Sequence, residues 1–278
     1  MYTIDDLQTV MARLRDPEGG CPWDLEQNYQ TIAPSTIEEA YEVADTIERQ
    51  DLGHLPEELG DLLFQVIFYS QLGREEGRFS FNEVVDLIVT KLLRRHPHVF
   101  PDGRLDTEPA NSTSIDQDQV NANWEAIKAE ERKNKGLASM LDDVPVGLPA
   151  LTRAQKLQKR VARAGWDWQH VDQLIDKLDE EVAEFKEAVA KAKADQISLA
   201  ESTEVADELG DLLFMGVNIA RFVHLDAESC LRANNRKFEG RIQYIEQQLA
   251  ATGQTFSDVD DDAIEALWQA SKQRENGR

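Results

Sequence analysis

The strongest constraint on this chain is that it carries one pattern twice. Glu38-Glu39-Ala40-Tyr41-Glu42 recurs as Glu180-Glu181-Val182-Ala183-Glu184, and Glu58-Leu59-Gly60-Asp61-Leu62-Leu63-Phe64 as Glu208-Leu209-Gly210-Asp211-Leu212-Leu213-Phe214. Cys21-Pro22-Trp23-Asp24 precedes the first set and Gly165-Trp166-Asp167 the second. Each half then places a Lys and an Arg four apart, Lys91/Arg95 and Lys237/Arg241, and closes on Trp-x-x-x-Lys, Trp124/Lys128 and Trp268/Lys272. A repeat this long is a duplicated domain and not a solenoid unit. Glu39 and Glu181 lie 142 residues apart but Glu58 and Glu208 lie 150, so the second half carries extra residues around 190–203. The pattern predicts an N-terminal domain over 1–135, a linker over 136–149 where Pro145, Gly147 and Pro149 interrupt helical patterning, and a C-terminal domain over 150–278.

Both halves read as helix. Ser35 and Glu38 have the spacing of a capping box, predicting a helix from Ser35 toward Ile47. Leu55-Pro56 opens another, with proline at a tolerated first position. Helices are also expected over 81–95, 122–133, 171–194, 202–223, 227–250 and 263–273, with irregular stretches at 101–119 and 251–262. No β-alternation is visible, so the fold class is all-α, two tandem helical bundles.

The acids are the informative residues. EExxE alone is a common solvated face. ExxD is different: Leu59, Leu62, Leu63 and Val66 point one way on a helical wheel while Phe64, Ile67 and Phe68 cover much of the rest. Such a helix is expected to be buried or sandwiched, which sets Glu58 and Asp61 beside apolar surface. Ionised carboxylates there are costly without a partner, and a divalent cation removes that cost. Spacings of three and four align the acids on one side of each helix, so two helices face to face would gather four oxygen ligands. Oxygen donors without nearby His or Cys favour Mg²⁺ or Mn²⁺ over zinc. A metal-loaded acidic pocket suits polyphosphates, and Lys237 with Arg241 could neutralise phosphates farther out.

Composition narrows the alternatives. A net charge of −23 repels nucleic-acid backbones. No run of about 18 apolar residues suggests a membrane span, and the first residues resemble no secretion signal, so a cytoplasmic setting is expected. Cys21 and Cys230 are read as small buried hydrophobes. Trp23 and Trp166 are read as core residues, and His96 and His98 as structural. Walker loops and GxGxxG are absent.

The duplicated EExxE and ExxD motifs, with Cys21-Pro22-Trp23-Asp24 and Arg94-Arg95-His96-Pro97-His98-Val99-Phe100, resemble the bacterial MazG family over roughly residues 4–272. The resemblance implies tandem all-α domains and hydrolysis of NTPs and dNTPs to monophosphate and pyrophosphate with Mg²⁺. It implies a homodimer and a protein partner in stress regulation. Carried onto this chain, it implies metal ligands at Glu181, Glu184, Glu208 and Asp211. Catalytic weight falls on Glu180 and Glu181, with Glu180 as a water-orienting base. It implies nucleotide contacts at Lys177, Leu178, Asp179, Glu180, Glu181, Glu208, Asp211, Lys237, Arg241, Trp268 and Lys128. The first half keeps Glu39, Glu42, Glu58 and Asp61, a second metal or regulatory site. It reads Ile88-Val89-Thr90-Lys91-Leu92 where the second has Asn234-Asn235-Arg236-Lys237-Phe238, so catalysis is assigned to the C-terminal half. Rival readings are a narrower enzyme, dUTPase-like or directed at phosphoribosyl-ATP, and a non-catalytic nucleotide-binding adaptor.

Overall fold

A computed structural model of the chain describes residues 1–106, 117–134 and 136–276, and every regular element among them is helical. The helices are α1 (Ile4–Leu14), α2 (Pro22–Glu26), α3 (Tyr29–Glu48), α4 (Leu55–Glu75), α5 (Phe81–Arg95), α6 (Gln117–Asn134), α7 (Ala150–Arg163), α8 (Val171–Ala194), α9 (Thr203–Phe222), α10 (Ala227–Ala251) and α11 (Asp261–Asn276). A 3-10 turn, Phe256–Asp258, lies in the stretch before α11. The chain divides into two units, Met1–Glu131 and Arg132–Arg278. The tandem all-α architecture is as the repeat predicts. Helices α1, α2 and α7 were not foreseen, α6 starts before the expected 122, and most of the expected irregular stretch 101–119 lies outside the described residues.

In the first unit α3 packs along α4. Met11, Ile32, Ile67, Phe68 and Leu72 form the buried core, with Leu7, Tyr29, Phe64, Tyr69 and Phe81 around it. The predicted cap is corrected here. α3 begins at Tyr29, not after Ser35, because Asn28 accepts from the N–H groups of Gln30 and Thr31 while Thr31 accepts from the N–H of Asn28. That earlier reciprocal cap satisfies the first orphan donors, so Pro34 lies inside the helix. α5 starts on a capping box of Ser80 and Glu83.

The second unit is built on α9, which packs against α8 and α7 and touches α10; α10 in turn packs on α11. Two buried glutamines of α7 fasten that helix. Gln155 donates to Leu225 O (2.9 Å) and accepts from the N–H of Ala227 (2.9 Å), clamping the turn between α9 and α10, and Gln158 donates to Phe214 O at 2.9 Å. The stretch 136–149, expected as a linker, is tied to the same helix. Arg160 donates to Met140 O (2.9 Å) and Asp142 O and pairs with Asp143, and Val144 is buried.

The extra residues of the second half leave the motif register intact. Glu39 follows the start of α3 by ten residues, as Glu181 follows the start of α8. The surplus lies downstream, where α8 runs one turn longer than α3 before a longer loop. Ala188, Ala192 and Val205, with Phe185 and Val189, pack that added turn onto α9, and Lys191 pairs with Glu204.

Several expectations of burial fail. The helices bearing ExxD are not enclosed within their own units: Leu59 and Leu209 are each 47% exposed and Leu213 is 58% exposed. Within each unit the core is supplied from farther along the same helix, by Ile67, Phe68 and Leu72 in α4 and Met215 and Val217 in α9. Trp23 (58% exposed) and Trp166 (83%) are surface residues, and it is the aspartate after each that is anchored. Arg15 donates to Asp24 O and Gln27 O and pairs with Glu75 at 2.7 Å. Arg221 grips Asp167 with two hydrogen bonds. Cys21 is half-buried and Cys230 exposed, and both are free, so neither is a core hydrophobe.

Candidate active site: facing carboxylates on α8 and α9

Glu181, Glu184 and Glu208 each turn a carboxylate into the α8–α9 interface, with oxygens that lie within 4.8 Å of one another. Glu181 and Glu184 sit one turn apart on α8, and Glu208 faces them from α9. Glu181 is buried while Glu184 is exposed to solvent. Asp211, one turn beyond Glu208, stands outside the group of three but adds its charge to it. Desolvation first, and then the charges of Glu184, Asp211 and Glu181, hold the Glu208 carboxyl above its ordinary range. The cluster therefore carries negative charge that its own atoms do not balance, the condition a hard divalent cation relieves. Among the described residues no His or Cys joins it.

The segment 177–180 borders this group as predicted. Lys177, one turn before Glu181 on the same face, places its ammonium 2.9 Å from Glu180 and 3.0 Å from Glu181. Those two hydrogen-bonded carboxylates raise its pKa. Leu178 is half-buried; Asp179 and Glu180 are exposed.

The other predicted contacts form a second cluster on a different helix pair. On α10 and α11, Arg241 lies over the Trp268 ring at 5.1 Å, Lys272 lies over it at 5.5 Å, and Phe238 packs against it at 5.8 Å. Lys237, one turn before Arg241, is exposed. Trp268 is half-buried, so it is an edge residue held by cations and not a plug in the core. Beside it a cleft of about 310 Å³ opens between α10 and α11, lined by Arg241, Tyr244, Gln247 and Arg274 among others.

The first unit repeats both arrangements with changes. Glu39, Glu58 and Asp61 gather as the second group able to offer three close oxygens. Desolvation, a hydrogen bond that protonated Glu39 donates to Glu42, and neighbouring charges raise the pKa of Glu39; desolvation and the charges of Glu42 and Asp61 raise that of Glu58. Glu42 takes part electrostatically but is not in the group of three. The position of Lys177 is held by Ser35. Trp124 is flanked by Arg95 at 5.5 Å, Lys128 at 5.6 Å and His96 at 4.9 Å. Lys128, predicted as a nucleotide contact, is thus the first unit's counterpart of Lys272. Arg95, with Arg94, is paired to Glu131, and this holds the Glu131 carboxyl down at about 2. α5 offers exposed Ile88 and Leu92 where α10 offers Asn234 and Phe238.

Sequence reasoning missed the groups that aim this machinery: Gln155, Gln158, Arg160, and the Asp167–Arg221 pair that holds the entry to α8 against α9. Buried glutamines among charged neighbours on α7 give no periodic signal. The aspartate is part of the repeated Trp-Asp, Trp23-Asp24 and Trp166-Asp167, and that recurrence is the signal that marks it.

Residues 27–100 and 169–245 each match the MazG nucleotide pyrophosphohydrolase domain. The chain is 49% identical over 275 residues, 99% of both sequences, to a nucleoside triphosphate pyrophosphohydrolase of Escherichia coli K12. It is 35% identical over 269 residues to the nucleoside triphosphate pyrophosphohydrolase/pyrophosphatase MazG of Thermotoga maritima, covering 97% of this chain and 95% of that one. A Bacillus subtilis protein, YabN, is 39% identical over 274 residues, which are 52% of its length. With the domain found in both units and full-length relatives at this identity, the chain belongs to the MazG family of nucleotide pyrophosphohydrolases.

Proposed function

We propose that the chain hydrolyses NTPs and dNTPs to monophosphate and pyrophosphate at the α8–α9 cluster of its second unit, with Mg²⁺ as the cofactor and Mn²⁺ as a substitute. The observation that carries this reading is the convergence of Glu181, Glu184 and Glu208, with Asp211 beside them, as an all-oxygen donor set bearing unbalanced charge. A bound divalent cation would neutralise that charge and polarise the phosphoryl group of the substrate. Glu181, Glu184, Glu208 and Asp211 are the residues that would hold it. Glu180, exposed and one residue from the ligands, orients the attacking water, and Lys177 answers substrate charge at the rim. Lys237 and Arg241 contact phosphates and Trp268 the base side. The second unit is favoured over the first because it adds Lys177, Asn234 and Phe238 to the same carboxylate frame. The first unit's cluster, Glu39, Glu42, Glu58 and Asp61, is assigned a metal-binding or regulatory role.

The working form is a homodimer in the cytoplasm. Supporting it, Leu59 with Leu63 in α4 and Leu209 with Leu213 in α9 are exposed at matching positions of the repeat, so each unit displays the same apolar stripe beside its carboxylates. The stress-regulation role and its protein partner follow from family resemblance alone.

Pyrophosphate release from a panel of NTPs and dNTPs, with and without Mg²⁺, tests the reading. Release confined to dUTP or phosphoribosyl-ATP would favour the narrower enzymes, and no release from any of them the adaptor. Asp211→Ala should abolish turnover with helical circular dichroism unchanged. A fully active Asp211→Ala protein refutes the site.

A further inference from the structure

The two carboxylate groups share a frame but differ in one neighbour. In the second unit the Lys177 ammonium sits 2.9 Å from Glu180 and 3.0 Å from Glu181, and Glu181 is both buried and one of the three converging acids. In the first unit the same helical position is Ser35, which carries no charge. Lys177 is therefore the internal cation of the second cluster, and the first has none at that position.

We propose that Lys177 is a built-in counterion that competes with the metal for Glu181 and, once displaced, turns to the phosphates of the substrate. The idea rests on the metal reading given above and assigns Lys177 a dual positioning role within it. Two cations cannot share one carboxylate without repulsion, so metal entry weakens the Lys177–Glu181 pair whether or not the lysine leaves. The side chain has somewhere to go. It is about one-third exposed, with an ammonium carried on a stem with four rotatable bonds. Glu180, its other partner, is itself exposed and gives no rigid anchor. A polyphosphate arriving at the cluster offers the released ammonium denser negative charge than Glu180 does. Free metal is then held back at the second cluster, and metal together with a nucleotide is favoured. The first cluster takes metal without this penalty.

These couplings have opposite signs, which a merely structural lysine would not produce. In full-length protein carrying Glu39→Gln and Glu58→Gln, so that only the second cluster binds, free Mn²⁺ is titrated by its paramagnetic resonance signal with no nucleotide present. Lys177→Met should bind free Mn²⁺ about three- to tenfold more tightly than the Lys177 protein, the range expected for releasing one or two partly exposed ion pairs. The same substitution should raise the KM for dNTP several-fold, and Lys177→Arg should restore both values toward the parent. A Lys177→Met protein that binds free Mn²⁺ equally or more weakly overturns the counterion role while leaving the metal site in place. If neither protein binds Mn²⁺, the metal reading fails and the inference with it.

Discussion

The grip of Arg221 on Asp167 fixes how the chain enters α8, and its removal should be felt as stability. Arg221 is 9% exposed; it gives hydrogen bonds of 3.1 and 2.5 Å to the two oxygens of Asp167 and one of 2.9 Å to Asn218. Asp167→Ala leaves the guanidinium in place with one weak partner. Breaking a fully buried pair from one side costs about 3–5 kcal/mol, and an exposed pair contributes about 0–1 kcal/mol. The Asp167 side chain is one-third exposed, which sets the expectation near 2–3 kcal/mol, between those limits. For a unit of this size that is a melting shift of about 5–10 °C. Scanning calorimetry should show the second unit's transition moving and the first unit's staying. Arg221→Met in the Asp167→Ala background should recover part of the loss, because it removes the stranded charge. The pH dependence has a fixed sign. Arg221, ahead of the opposing effect of desolvation, holds the Asp167 carboxyl below its ordinary range. Its contribution is therefore present above the unfolded carboxyl's pKa and lost as pH falls through the folded value, so wild type and variant should converge in strong acid. A loss below about 0.5 kcal/mol at pH 7, or a double variant no more stable than Asp167→Ala, refutes the reasoning.

In the first unit, Glu131→Gln should destabilise the hold of α6 on α5 by about 1–2 kcal/mol at pH 7, because Glu131 answers a half-buried Arg95 and a more exposed Arg94. With the folded carboxyl at about 2 against an ordinary 4.5, that contribution should fade between about pH 5 and 2 in urea titrations. Gly73→Ala should cost about 1–3 kcal/mol, since a Cβ there would meet the Phe79 ring at 2.8 Å, and a variant as stable as wild type in urea refutes the contact. Glu208→Gln should lower turnover about 100-fold or more, and chelation should stop turnover until Mg²⁺ is restored, both read by pyrophosphate release.

The helices were legible because duplicated motifs carried their own spacing: the starts of α4 and α5 and both ends of α8 fall where the pattern puts them. The start of α3 was not, because Ser35-x-x-Glu38 and Asn28-x-x-Thr31 both have capping chemistry and only packing of Tyr29 and Ile32 into the core selects the earlier one. The carboxylate positions were legible from three- and four-residue spacing, and the structure converges three of each set of four. What a wheel could not show was how far along α4 and α9 the unit's own core reaches, since apolar residues run the length of both helices while Leu59, Leu63, Leu209 and Leu213 are exposed and Ile67, Phe68, Met215 and Val217 buried. Nor could it reveal Lys177 between Glu180 and Glu181, an ordinary helix-surface lysine until the fold gives Glu181 a buried place.

The ten-residue interval from helix start to first ligand, kept in α3 and α8 while the downstream ends differ, works as a ruler with one graduated end. At 1.5 Å per residue it sets the acid about 15 Å from the entry turn, and each residue added inside it would swing the carboxylate about 100° around the axis. Beyond Glu184 the scale is blank, since α8 gained a turn there and the acids stayed in register. Grafts, tags or sensor loops belong at 195–202, where length is already free, and a single residue inserted between 171 and 181 should silence the site as surely as deleting Glu181.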